Sequence, residues 1–216
     1  MLDIVIATGN RHKFRELTGL LHMPGIRWHS LAEFPKLPAV RERGKTFDAN
    51  AVAKARAASR GTKCMALAGD SGIEVDALGG RPGVRSARFA GNHGDDTANN
   101  VKLLAAMNGV PYRERGARYQ CSLALVEGGR VLAITRGTWA GRIGTAPRGQ
   151  GGFGYDPLVV VPKFGKTAAQ LGAGVKRRYS HRAVAARRMR RELAGLVTAR
   201  FRTGSARSRR ARARSA

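Results

Sequence analysis

The chain has 216 residues, enough for one buried core, with 40 Lys and Arg against 14 Asp and Glu and a formal charge of +26. No apolar run approaches the ~18 residues of a membrane span, and the absence of a basic leader makes the N-terminus an expected part of the fold rather than a signal peptide. The charge is uneven: residues 176–216 hold 15 of the 40 basic residues and one acid, Glu192, a balance that suits polyanionic ligands and says nothing about fold.

Leu2 to Ala7 is a short Ile- and Val-rich run, which predicts a buried strand. Thr8-Gly9-Asn10 is turn chemistry, and from Asn10 the period changes so that Phe14, Leu17 and Leu21 share a helix face. A strand that turns through glycine into a helix leaves unpaired N–H groups converging on one point, where an anion binds well. Arg11, His12 and Lys13 add positive charge there. From these residues alone, a phosphate cradle and an ordinary β-turn-α junction with basic surface residues both remain open. Ile26 to Leu31 predicts a second strand, Pro35 and Pro38 an extended loop, and Thr46 to Arg60 an alanine-rich helix capped by Thr46 or Asp48.

Cys64 to Ala68 reads as a strand ending at Gly69-Asp70-Ser71-Gly72, with Ile73 to Val75 extended beyond it. A carboxylate on a sharp turn at a strand end is where α/β proteins keep metal ligands and bases, although a turn-forming Asp is also common. Residues 79–91, with Arg81, Arg85 and Arg88, read as a loop without regular structure. Asp96 is expected to cap the next helix, with Val101, Leu104 and Ala105 as its apolar stripe. Tyr119–Glu127 and Arg130–Thr138 read as a hairpin across Gly128-Gly129, so helices and strands alternate around a mixed rather than wholly parallel sheet.

Gly149-Gln-Gly-Gly-Phe-Gly154 matches the dinucleotide-binding spacing, but Tyr155-Asp156-Pro157 and an apolar strand, Leu158–Val161, follow it where that fingerprint needs a helix. Phe153 and Tyr155 on a flexible loop suit stacking on a nucleobase, or plugging the core beside a turn. The last helix is expected from Ser180 to about Phe201, with Ala185, Met189, Leu193 and Leu196 inward. That places the basic cluster Lys176–Arg182 at its N-terminus, where the helix dipole disfavours cations unless an anion binds. From Thr203 the composition is Arg, Ser, Ala and Gly, which predicts a disordered basic tail over 203–216 after a domain spanning 1–202. Cys64 and Cys121 sit in apolar runs without metal-ligand spacing and are expected to be reduced core residues, which suits the cytoplasm.

Thr8-Gly9-Asn10-x-x-Lys13, Thr46-Phe47-x-x-Asn50-Ala51, Asp70-Ser71-Gly72, Gly79-Gly-x-Pro-Gly83 with Ser86-Ala87-Arg88, Gly151-Gly-Phe-Gly-Tyr-Asp-Pro157, Gly165-Lys-Thr-Ala-Ala169 and Ser180-His-Arg182 occur in one order. This set, across residues 1–197, resembles the Ham1-like inosine/xanthosine triphosphate pyrophosphatase family. The resemblance implies a two-lobed α/β fold with an elongated mixed sheet flanked by helices, an active cleft between the lobes, and a homodimer. It also implies Mg²⁺-dependent hydrolysis of ITP, dITP or XTP to monophosphate and pyrophosphate. By position, Thr8, Gly9, Asn10, Arg11, His12 and Lys13 would hold phosphate, while Asp70 would be metal ligand and base. Ser71 would line the site, Phe153 would stack on the base, and Gly154, Tyr155 and Asp156 would complete that wall. Lys176, His181 and Arg182 would reach phosphate and the base edge.

Four positions depart from the family pattern by losing an acid: Arg41, Ala49, Gly69 and Gln170. Arg41 is expected to stand where a second metal carboxylate belongs, with adjacent Glu42 as a weaker substitute pointing elsewhere. The expected function is therefore a metal-demanding nucleoside triphosphate pyrophosphatase. A nucleotide- or RNA-binding relative without turnover is the alternative, and the basic tail is expected to give weak, salt-dependent nucleic-acid binding.

Overall fold

A computed structural model describes residues 1–35, 37, 38 and 40–212, without the side chains of His12 and of residues 201–212. Seven strands form one sheet in the order β2-β1-β3-β4-β5-β6-β7. β1 (Leu2–Ile6) pairs in parallel with β2 (Ile26–Ser30) and β3 (Met65–Val75). The remaining strands, β4 (Gly116–Glu127), β5 (Arg130–Ile143), β6 (Val159–Val161) and β7 (Lys166–Thr167), continue it antiparallel. Gly128 and Gly129 turn the β4–β5 hairpin with φ of 57° and 91°, a conformation that needs glycine. The helices are α1 (Arg11–Leu21), α2 (Phe47–Thr62), α3 (Asp96–Ala106), α4 (Ala173–Tyr179) and α5 (His181–Arg212).

The long strands pass through two core regions, the first made of one cluster on each face of the sheet and the second a single cluster. Near its start β3 alternates Met65 and Leu67 toward α1 and α5 with Ala66 and Ala68 toward α2, as a period-two strand must. Ala51, Ala55 and Ala58 give α2 a small-residue face, which brings its axis close to those alanines. Further along, Ile73 and Val75 belong to a separate core with Leu103 of α3, Met107 just after that helix, Trp139 of β5 and Leu158. Asp70-Ser71-Gly72 is the crossing point between the two cores. Polar residues are tolerated there because neither lobe claims them.

Close approach fixes two glycines. A Cβ at Gly137 of β5 would lie 2.6 Å from the Ala185 amide of α5, so this glycine lets the helix backbone rest on the sheet. At Gly72 a Cβ would fall 2.5 Å from the Gly83 carbonyl, so the segment after β3 folds directly over the strand.

Several elements differ from the sequence reading. β3 is continuous through Asp70, because β4 supplies a partner residue for every position from Ala66 to Val75. Residues 83–88 form a 3-10 turn rather than an irregular loop, with the Ser86 hydroxyl donating to the Gly83 carbonyl at 2.6 Å. Asp95, not Asp96, caps α3 through the Ala98 amide at 2.9 Å. Leu103 and Met107, four residues apart, face the core and turn Val101 outward, 64% exposed.

The expected last helix is two helices. Ser180 is extended (φ −63°, ψ 156°), ends α4, and accepts from the Ala183 amide at 3.2 Å to start α5. Lys176, Arg177 and Arg178 therefore occupy the last turn of α4, where cations suit the helix dipole. Only His181 and Arg182 stand at the start of α5. α5 continues to Arg212 where an end near Phe201 was expected, in keeping with the helix propensity of Ala and Arg. The remainder of the expected tail, 213–216, lies outside the described residues.

Candidate functional site

Two adjoining cavities open over the crossing point. The larger, about 710 Å³, is lined by Thr8, Gly9, Asn10, Lys13, Glu42, Lys54 and Asp70, among others. The smaller, about 90 Å³, is lined by Ser86, Phe153, Gly154, Tyr155, Asp156, His181 and Arg182, together with Tyr119 and Asp96. Lys13, Ser71 and Ala87 line both, so one elongated ligand can occupy the two.

The β1–α1 junction is built by short polar side chains. The Thr8 hydroxyl accepts from the Asn10 amide at 3.2 Å, and Asn10 caps α1 by accepting from the Lys13 amide at 3.0 Å. Arg11 is exposed on the first turn, and the side chain of His12 lies outside the described residues. Lys13 points into both cavities. Burial first, then repulsion from Arg182 and Lys54, hold its ammonium below the ordinary lysine range despite Asp70 and Glu42. A cation under that strain gains from an anionic ligand.

Asp70 is buried at the floor of the larger cavity. Its two oxygens accept separately, one from the Asn50 amide at 3.0 Å and the other from the Lys54 ammonium at 3.0 Å. Asn50 and Lys54 are one turn apart on α2, which aims both at the same strand position. Lys54 also donates to Glu42 at 2.7 Å. Burial would raise the Glu42 pKa, but the Lys54 hydrogen bond and the charges of Lys54, Lys13 and Arg88 outweigh it, so the carboxyl sits below its usual range.

This corrects the expectation for the second carboxylate. Glu42 turns inward and lines the cavity, whereas Arg41 is exposed and lines neither cavity. The Gly44 amide donates to the Asn50 side chain at 2.8 Å, and Arg88 donates to the Glu42 carbonyl at 3.3 Å; together they pin the loop in that register. The other departures differ in how near the site they lie. Gly69 lines the same cavity as Asp70, and a Cβ there would meet Leu123 at 2.9 Å. Ala49 is exposed. Gln170 closes a capping box with Thr167 beside a separate cavity.

Among the described residues no group of three or more His, Cys, Asp or Glu converges as a metal cage. Asp70 and Glu42 nevertheless face one cation position, the one taken by the Lys54 ammonium. Two carboxylates with the rest of the shell left to water and ligand oxygens fit a small divalent cation of the Mg²⁺ type.

In the smaller cavity Phe153 is 47% exposed, and the Arg182 guanidinium lies 4.7 Å from its ring centroid. Arg182 also donates to the Ser71 hydroxyl at 3.2 Å and lies 3.7 Å from Glu16. His181 is buried and stacked on Tyr119 at 4.9 Å, and its Nδ1 has no hydrogen-bond partner among the described residues. Burial, with Arg182 and Lys13 nearby, pushes its pKa well below the usual value, so His181 is neutral. A neutral imidazole can accept as well as donate, so of the pair only Arg182 is strictly a donor.

Lys176 and Asp156 are committed to each other at 2.7 Å, and Tyr119 donates to the other Asp156 oxygen at 2.8 Å. Tyr155 is buried and donates to the Ser86 carbonyl at 2.8 Å, joining the two walls of the cavity. Sequence reasoning missed Lys54, Tyr119 and Asp96. The spacing of Asn50 and Lys54 beside the alanine stripe of α2 was the available signal for Lys54; Tyr119 and Asp96 arrive by tertiary pairing alone.

The Ham1 family profile matches residues 4–192. The chain belongs to the Ham1 family. A dITP/XTP pyrophosphatase of Geobacillus kaustophilus is 48% identical over 203 residues, covering 94% of this chain and all of that protein. One from Desulforamulus reducens is 48% identical across 84% of this chain and 90% of its own length. Among solved structures, a HAM1 protein from Coxiella burnetii superposes with a TM-score of 0.85 at 38% identity, covering 90% of this chain and 100% of that one. The mixed seven-stranded sheet flanked by helices is thus the Ham1 fold.

Proposed function

We propose that this Ham1-family chain hydrolyses non-canonical purine nucleoside triphosphates, dITP, XTP and ITP, to the monophosphate and pyrophosphate. The observation that carries this reading is the junction of the two cavities. A cationic cradle and a buried carboxylate meet an aromatic-walled pocket at Lys13 and Ser71. A nucleotide has that order of parts: base, sugar, phosphates.

In this reading the triphosphate lies along the Thr8–Lys13 turn, with α1 amides, Lys13 and Lys54 matching its charge. Asp70, oriented by the Asn50 side chain, takes the proton of a water that attacks the α-phosphorus. The α–β bridging oxygen leaves with pyrophosphate. Asp70 and Glu42 would hold a divalent cation in place of the Lys54 ammonium they share in this structure, which would free Lys54 for phosphate, and the cation would offset phosphate charge. Phe153 stacks on the purine, and Arg182 donates to a 6-keto oxygen. An amine at that position would leave the donor unpaired. Glu42 facing inward removes the main argument for a metal-poor binder.

The test is hydrolysis of dITP in oxygen-labelled water. Label in dIMP supports attack at the α-phosphorus, and label only in the pyrophosphate, or formation of dIDP, contradicts it. The homodimer and the cytoplasmic setting are part of the same proposal, and sedimentation of the purified chain tests the first.

A further inference from the structure

The exposed Phe153 ring projects from a glycine-rich turn with the Arg182 guanidinium stacked on it, while its backbone is bound within the turn, the amide donating to Asp156 Oδ2 at 3.4 Å and the carbonyl accepting from the Asp156 amide at 3.3 Å. Gly154 follows in the left-handed region, φ 64°, and glycine has more backbone freedom than any other residue. Two further bonds, both from one helix, restrict that freedom. The Gly154 amide donates to Asp96 Oδ2 at 2.6 Å, and the Gly154 carbonyl accepts from Asn100 Nδ2 at 2.9 Å. The amide belongs to the peptide joining Phe153 to Gly154 and the carbonyl to the next one, so the plane that follows the Phe153 Cα is fixed and the plane after it is anchored. Asp96 and Asn100 lie one turn apart on α3, a spacing that puts both on one face.

The same helix braces the opposite wall. Asn99 accepts from the Ala90 amide at 2.8 Å, and Lys102 donates to the Phe89 carbonyl at 2.7 Å. We propose that Asp96 and Asn100 are positioning residues that aim the Phe153 ring, so that α3 sets how tightly the purine is held without touching the reacting phosphates. This rests on the nucleotide reading of the site. Asn100 is a clean handle, because its Oδ1 is buried without a partner among the described residues and the side chain makes no other bond there.

The experiment is equilibrium binding of an α,β-imido analogue of dITP, with dITP hydrolysis alongside, for the parent, Asn100→Ala, Phe153→Ala and the double variant. Asn100→Ala is expected to weaken binding and raise KM about tenfold while kcat stays within about twofold, the scale of a lost stacking contact. In the Phe153→Ala background the same change should add less than about twofold, since its effect runs through the ring. Asp96→Ala should match Asn100→Ala, with the same small effect in the Phe153→Ala background, and it carries the test if Asn100→Ala misfolds. An equal loss in both backgrounds, or a fall in kcat with KM unchanged, overturns the inference alone. A parent that binds no purine nucleotide overturns the reading of the site and this inference with it.

Discussion

At the residue scale the site is a problem of placing charge. Asp70 stays useful because Asn50 and Lys54 each take one lone pair on its oxygens and leave the others for water. Asp70→Asn should lower kcat by about two to four orders of magnitude, the usual worth of a positioned base, with binding of the imido analogue retained. Comparable turnover in that variant would move the base elsewhere. Glu42 and Arg41 are adjacent in sequence and opposite in consequence: Glu42→Gln should raise the Mg²⁺ concentration needed for half-maximal turnover, and Arg41→Glu should leave it unchanged. The reverse pattern would restore Arg41 to the metal position. Lys13, held below the ordinary lysine range by burial and by Arg182 and Lys54, is charged only below that lowered value. Nucleotide affinity should therefore fall as pH rises through it, and Lys13→Arg should shift that fall to higher pH. An identical profile for both proteins would show that another group titrates.

At the element scale, what the sequence made legible was what local pattern determines. The β1 run, the Asn10 and Thr46 caps and the Gly128-Gly129 turn each depend on residues within a few positions of one another, and each forms as read. Of three differences, two come from tertiary pairing and one from a local cap. β3 runs through its glycines because β4 pairs with it, whereas Ser180 divides α4 from α5 because its hydroxyl accepts from the amide three residues on. Glu42 turns inward because Asn50, Lys54 and Arg88 hold its loop. Gly137→Ala belongs at this scale. Its methyl would overlap the first turn of α5 and should cost about 1–3 kcal/mol, as overpacking does, measured as a lower denaturation midpoint. An unchanged midpoint would show that α5 can slide on β5.

β2 is joined to its neighbours by another contact, His29, whose ring nitrogens lie 2.8 Å from Asp3 and 3.0 Å from Glu33. The Asp3 and then the Glu33 hydrogen bonds raise the His29 pKa above 6.5. The stability this gives is fully present below the unfolded-state value and is lost as pH rises through the raised folded value. His29→Gln should flatten that part of the Tm-versus-pH curve. A curve of unchanged slope would assign the dependence to other groups.

At the scale of the whole molecule, the two cores of the long strands create the cleft, and the cleft brings together motifs that are far apart in sequence. The order of those motifs made the family and the outline of the site legible. The sequence did not say which acid faces Asp70, nor that Asp156 and Lys176 answer each other, because both follow from loop register. Removing 203–216 should leave dITP turnover intact and weaken retention on RNA at low salt, and equal retention would exclude a contribution from that segment. Pyrophosphate release measured for dITP, XTP and ITP against ATP and GTP, across a Mg²⁺ series, tests the proposed activity most directly. Turnover of dITP, XTP and ITP should run well ahead of ATP, with pyrophosphate as the product. Preferential turnover of ATP, or orthophosphate in place of pyrophosphate, would contradict it.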